Sequence, residues 1–320
     1  MLNSNIIDLA ITLCFIYFLL ALFATTINEI INAFTKIRSK ILFKSIQTMF
    51  YDPAWKSISS QILESPFIKC LQKKEKLLPS YIPSKNFALA VTELLNPGSE
   101  GRLDLNTLRK NITDRNSTLQ GDAQRVLIGL LNSTGDSYEK FTVNLEKFYD
   151  DSMERAGGWF RKYSRKVLMA VSFAVVILLN VDTIHICGTL WKDQSKLKEA
   201  SEMAIEYTKG KDTLSERVIS FGKGSIKGDT LVKRIVSTAG NIKNIEMKLK
   251  ELPIPLGWSK GNYPNGEEVS ITNWVTKAAG WSLTALAIFL GAPFWFDLLN
   301  KFVNLMAAGK KPEKEKETSK

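Results

Sequence analysis

An aspartate and a histidine inside an apolar stretch are the residues of this chain that could do chemistry within a membrane. Asp182 and His185 lie three residues apart, on one face of a helix, in the apolar block 167–190. A charge at that depth costs about 2.5–3.5 kcal/mol unless it is paired or hydrated. One interpretation is a proton or ion relay. In the other, Asp182 caps or breaks the helix and pairs with His185 or a neighbouring helix.

Two further acids, Glu29 and Asp297, fall at the expected inner edge of the membrane. Arg165 and Lys166 lie at the same edge. We expect these groups to form ion pairs that fix how the helices pack.

The sequence does not contain the residue patterns that other catalytic or metal sites require. A metal site needs clustered His, Cys or carboxylate ligands, whereas this chain has one histidine and the widely separated Cys14, Cys70 and Cys187. A Ser-His-Asp triad would have to use His185 inside the membrane. The glycines at 222–228 do not have the phosphate-loop spacing. We therefore predict that the chain is not an enzyme and binds no cofactor.

The elements that would position Asp182 and His185 are membrane-spanning helices. The chain has 320 residues, 45% of them apolar, and a net charge of +11. Its apolar residues concentrate in three blocks, at 9–28, 167–190 and 278–296. A helix of 20 residues rises about 30 Å, the thickness of the bilayer hydrocarbon. A cleaved signal peptide is disfavoured for the first block, because no Lys or Arg precedes it and no A-x-A site follows it.

Small residues line one face of the third predicted span. Gly280, Thr284, Ala287 and Gly291 recur at helical spacing, which lets a neighbouring helix approach closely. Pro293 should end or kink this span. The apolar residues after it repeat at helical spacing between polar ones, as in a helix lying at the membrane interface.

These patterns predict an all-α membrane protein with three transmembrane helices, a helical cytoplasmic segment and a helical-hairpin extracytoplasmic segment. Residues 41–50 should extend the first helix beyond the membrane. The predicted segments are transmembrane helix 1 (1–32), a cytoplasmic helical segment ending in a long helix (33–165), transmembrane helix 2 (166–191), an extracytoplasmic helical segment (192–277), transmembrane helix 3 (278–296), an interfacial amphipathic helix (297–308) and a disordered charged tail (309–320).

The distribution of basic residues predicts the orientation. Twelve lysines and arginines flank the spans on one side and five on the other. The positive-inside rule places the N-terminus outside and the C-terminus inside. The basic clusters abut the spans, so anionic lipid is a better partner for them than nucleic acid.

Several segments resemble one family of proteins. The sequence contains PSYIP at 79–83, NVDT at 180–183, LPIPLGW at 252–258 and GAPFWFDLLNK at 291–301. Together these are similar to a family of uncharacterised bacterial multi-pass membrane proteins. The resemblance implies a bacterial inner-membrane location and a shared architecture, and it implies no activity.

The sequence favours a membrane anchor or scaffold for protein partners, or for further copies of the chain. The alternative is a subunit of an oligomeric channel, pore or transporter that uses Asp182 and His185. The sequence itself identifies no partner, oligomeric state or transported species.

Overall fold

The computed structural model describes residues 4–50, 58–72, 79–96, 105–114, 121–135, 137–209, 231–258 and 271–309. Within these ranges the regular secondary structure is entirely α-helical. The all-α part of the predicted fold class is therefore confirmed.

The chain divides into two compact units, each with its own hydrophobic core. Unit 1 comprises Met1–Ile31 and Arg165–Lys320, and unit 2 comprises Asn32–Ser164. Two helices contribute to both units, α1 (Ser4–Thr35) and α8 (Tyr138–Leu179).

Unit 2 contains the end of α1, the first part of α8 and the helices between them. These are α2 (Ile37–Met49), α3 (Ile58–Glu64), α4 (Pro66–Lys69), α5 (Ser84–Leu95), α6 (Leu105–Thr113) and α7 (Asp122–Asn132). The prediction that the first helix continues through residues 41–50 is wrong, because Lys36 adopts a left-handed conformation with φ 50° between α1 and α2. Helix α2 then buries its apolar face, including Phe43 and Ile46, in the core of unit 2.

Tyr149 on α8 organises the centre of the unit 2 core. Its ring stacks on Phe87 of α5 with centroids 4.4 Å apart. Its hydroxyl donates a hydrogen bond to the Ile82 carbonyl at 2.9 Å. Because Ile82 lies between two prolines, this bond ties the extended segment 79–83 to α8.

Unit 1 contains α9 (Thr183–Lys192), α10 (Gln194–Lys209), α11 (Leu231–Glu251), α12 (Ile271–Phe289) and α13 (Ala292–Gly309). Helix α1 lies at its centre, since every residue from Cys14 to Leu22 is buried. Burial of so many consecutive residues means that protein surrounds α1 on all faces. Residues 210–230 and 259–270 of the predicted extracytoplasmic segment, and residues 310–320 of the predicted charged tail, lie outside the described residues.

One helix of the described chain, α1, is long and apolar enough by itself to cross a membrane. Two bent pairs raise the number to three if each pair is one span: α8 with α9, bent by 47°, and α12 with α13, bent by 93°. The predicted continuous second span, 166–191, is therefore broken at residues 180–182.

The second bend corrects the predicted boundary between 278–296 and 297–308. Helix α12 ends at Phe289, and Gly291 has φ 91°. Pro293 lies in the first turn of α13, where its missing N–H removes no helical hydrogen bond. Residues 292–296 thus belong to the helix after the bend.

Candidate functional site

The candidate site is the break between α8 and α9, where the sequence reads NVDT. Asn180 has φ 49°, a left-handed conformation that asparagine tolerates better than most residues. Asp182 is the N-cap of α9, and its Oδ1 accepts hydrogen bonds from the backbone N–H groups of Ile184 at 2.9 Å and His185 at 3.2 Å. Aspartate is among the most favoured N-cap residues. The local sequence therefore encodes the break.

The segment 252–258 hydrogen-bonds to two carbonyls at the end of α8, where the last-turn carbonyls have no partner within the helix. The Gly257 amide donates to the Leu179 carbonyl at 2.8 Å, and Trp258 Nε1 donates to the Ile177 carbonyl at 3.0 Å. Asn180 Nδ2 in turn donates to the Gly257 carbonyl at 3.0 Å.

A chain of hydroxyl groups joins three helices beside the break. Tyr17 Oη lies 2.9 Å from Thr183 Oγ1, which lies 2.8 Å from Thr284 Oγ1. Thr284 uses its single proton to donate to the Gly280 carbonyl at 2.8 Å. Thr183 must then donate to Thr284, and Tyr17 to Thr183, because each hydroxyl has one proton. The chain ends on a backbone carbonyl, which binds α1, α9 and α12 together but passes no proton onward.

Gly280 allows α12 to approach the capping carboxylate. A Cβ at this position would lie 2.6 Å from Cγ of Asp182 and closer still to Oδ1. The carboxylate is buried, with Asp182 only 7% exposed. This contact explains why the residue opposite the cap has no side chain.

A lysine and two tryptophans lie next to this contact. Lys277 Nζ lies 5.8 Å from the ring centroid of Trp258 and 5.7 Å from that of Trp281. The two indole rings meet edge to face, with centroids 5.8 Å apart. Trp281 Nε1 also donates to Asn180 Oδ1 at 3.2 Å. The lysine is buried and its charge faces the aromatic rings, an arrangement that stabilises a cation away from bulk water.

The structure separates several residues that the sequence suggested would act together. The His185 side chain is exposed, and its link to the Asp182 carboxylate is through its backbone N–H. No ion pair within the described residues joins Glu29 or Asp297 to Arg165 or Lys166. Gly280, Thr284 and Ala287 are buried on α12, whereas Gly291 lies past the end of that helix.

Sequence reasoning missed the residues that surround Asp182. Tyr17, Thr183 and Lys277 carry no pattern that sets them apart from other polar residues near an apolar block. Asn180 had a detectable signal, since asparagine directly after the last residue of a helical pattern is typical of a helix C-terminus. The described residues contain no group of three or more His, Cys, Asp or Glu side chains that could hold a metal ion.

No protein-family model matches the chain, and no curated protein or solved structure matches it either. The resemblance to bacterial membrane proteins therefore stays a prediction. The geometry describes a polar joint, in which Asp182 Oδ1, the Asn180 side-chain amide and the three hydroxyl groups hydrogen-bond to other groups of the protein.

Proposed function

We propose that the chain is a non-enzymatic membrane anchor or scaffold, in which the helical unit 2 presents a surface to protein partners. The observation that carries the proposal is the use of Asp182 as a buried helix cap. A carboxylate that holds two backbone amides and contacts Gly280 is needed for the fold. It is poorly placed to exchange protons or bind a passing ion.

The proposed location is the bacterial inner membrane, with the N-terminus outside and the C-terminus inside. Support comes from the basic residues beside the apolar stretches. Seven of these lysines and arginines form no ion pair with a carboxylate of the described chain. They are Lys36, Lys40, Lys44, Arg161, Lys162, Arg165 and Lys166. All are exposed, so their charge is available to anionic lipid headgroups, each such contact contributing about 1 kcal/mol.

A channel, pore or transporter subunit is the second candidate function. Two apolar helix pairs are bent, by 47° and 93°. Broken helices of this kind line the binding sites of many transporters. The weakness of this candidate is that Asp182 and His185 do not share a side-chain contact.

Ion flux in reconstituted vesicles separates the two functions. Asp182→Asn keeps a good N-cap and removes the charge. An anchor predicts no proton or ion flux above protein-free vesicles for either the unsubstituted chain or the variant. Flux through the unsubstituted chain that disappears in Asp182→Asn, with unfolding of the variant unchanged, would contradict the anchor and favour the channel.

A further inference from the structure

Helix α10 runs back beside α9. Helix α9 ends at Lys192 and α10 begins at Gln194, and the two helices contact each other. Near the far end of α10, the Tyr207 ring lies 5.2 Å from that of Phe15 and 5.7 Å from that of Phe18, centroid to centroid. Both phenylalanines belong to the buried centre of α1.

The start of α9 contacts the same turn of α1. Tyr17, which lies between the two phenylalanines, hydrogen-bonds to Thr183, the first residue of α9, at 2.9 Å. The last turn of α10 and the first turn of α9 are therefore at one level along α1. Because the two helices join at their other ends, they form an antiparallel pair in which α10 lies beside α9.

The outer face of α10 is charged along its whole length. Its exposed ionisable residues are Lys196, Lys198, Glu199, Glu202, Glu206 and Lys209. Three of them take part in two surface ion pairs, Lys196 with Asp193 at 3.1 Å and Lys198 with Glu202 at 3.9 Å. A charged side chain near the bilayer centre costs about 2.5–3.5 kcal/mol. So many charges on one face require water at the level of α9.

Irregular backbone lies at the same end of α8. Residues 253–257 are non-helical and only half-buried, and Gly257 and Trp258 bond to the Leu179 and Ile177 carbonyls. Irregular backbone exposed to lipid does not occur within the hydrocarbon, since its polar groups have no partner there. This level is thus at or outside the edge of the hydrocarbon.

Two tryptophans mark the same level. Trp258 is 42% exposed and donates to the Ile177 carbonyl, and the half-buried Trp281 donates to Asn180. Lys277 lies against the rings of Trp258 and Trp281. Indole side chains are enriched where the hydrocarbon meets the headgroups, because one part of the ring is apolar and its N–H is polar.

From the charged α10 face, the irregular segment and the tryptophans, we infer that the hydrocarbon ends at the helix break, residues 180–182. The surface around Trp258 and Trp281 then meets the phospholipid headgroups on the side away from Arg165 and Lys166. This inference rests on the membrane insertion in the proposed function. It places α9, α10 and the first half of α1 outside the hydrocarbon.

The lengths are compatible with this boundary. The apolar part of α8, residues 167–179, rises about 20 Å. That is shorter than the average hydrocarbon thickness of about 30 Å. Arg165 and Lys166 are exposed at its other end, and long basic side chains can extend to the headgroups while a bilayer thins around a short span.

Spin labels on the full chain test the boundary. In a background of Cys14→Ala, Cys70→Ser and Cys187→Ala, single cysteines replace Leu178, Trp191 or Glu202, all of which are exposed. Each labelled protein is placed in phosphatidylcholine and phosphatidylglycerol vesicles, and its collisions with oxygen and with a water-soluble nickel complex are compared. The cysteine-free parent, checked for unchanged thermal unfolding, is the control.

We expect the oxygen-to-nickel collision ratio at Leu178 to exceed the ratios at Trp191 and Glu202 several-fold. A label at Trp191 that collides mainly with oxygen would overturn the inference, because the hydrocarbon would then reach the end of α9. If Glu202 were nickel-accessible in that case, a water-filled cavity would border α10 and the channel would be favoured. A label at Leu178 that collides mainly with the nickel complex would instead contradict membrane insertion itself, and with it the proposed function.

Discussion

At the level of single residues, the Asp182 carboxylate and Gly280 depend on each other. The carboxylate caps α9 through two backbone amides, and the absence of a side chain at Gly280 leaves the space that it occupies. A buried carboxylate that lost these hydrogen bonds would pay a desolvation cost of several kcal/mol. The position is therefore sensitive to small changes in volume on α12.

Gly280→Ala is expected to destabilise the protein by about 2 kcal/mol or more, because the new Cβ displaces the capping carboxylate and loses part of the cap energy. The measurement is denaturant unfolding in detergent micelles. Gly188→Ala, at an exposed position of α9, is the matched control, since no atom lies within 4 Å of the added Cβ. That control should stabilise the helix by about 0.5–1 kcal/mol. Equal effects at the two glycines would show that the close contact with Asp182 does not form.

At the level of elements, the hydroxyl of Tyr149 holds the extended segment 79–83 against α8. Tyr149→Phe keeps the stacking on Phe87 but leaves the buried Ile82 carbonyl without its donor. The expected loss is about 1–3 kcal/mol of unfolding free energy. Tyr81→Phe, at an exposed side chain, is the control and should change stability by less than about 0.5 kcal/mol. A loss at Tyr149→Phe no larger than at the control would contradict a stabilising role for the bond.

The same tyrosine gives a pH dependence with a definite sign. Burial, with smaller contributions from Tyr81 and Asp150, raises the pKa of Tyr149 above its ordinary value of about 10. The unfolded chain therefore loses this proton first as pH rises. The contribution of Tyr149 is complete below about pH 10 and decreases above it. The difference in unfolding free energy between the unsubstituted chain and Tyr149→Phe should shrink between pH 9 and pH 11, and a constant difference would contradict the assignment.

The breaks between elements show what local sequence can and cannot predict. Asp182 and Pro293 were recognisable, because N-cap aspartates and prolines have strong positional preferences. Lys36 was not, since lysine has no preference for φ 50°, and the packing of α2 into unit 2 after the break involves residues distant in sequence. Hydrophobic spacing predicts which face of α2 is buried. It does not predict the change of direction between α1 and α2.

At the level of the whole molecule, hydropathy predicted the all-α class and the apolar blocks but not their surroundings. It treats the buried stretch Cys14–Leu22 as a lipid-facing span. In the structure, protein surrounds that stretch, and Tyr207 of the charged helix α10 packs on it. A window along the chain cannot detect this contact, because Phe15 and Tyr207 are distant in sequence. The partners of Asp182 on α12 were missed for the same reason.

The number of membrane crossings can be decided by reporters on the full chain. The bend of 93° between α12 and α13 fits either one broken span or a re-entrant pair that returns to its starting side. The excess of basic residues on one side favours a third crossing. We therefore expect a reporter after Lys320 to be cytoplasmic and one inserted after Lys209 to be extracytoplasmic.

A third reporter, inserted after Asp114 at the end of α6, is the control, because it should share the side of Lys320 if three crossings occur. Green fluorescent protein and alkaline phosphatase at each site give opposite signals, so each position is measured twice. A re-entrant pair would instead place the Lys320 reporter with the Lys209 reporter and opposite Asp114. That result would contradict three crossings. It would leave α1 and α8 as the helices that cross the membrane, with the C-terminus outside.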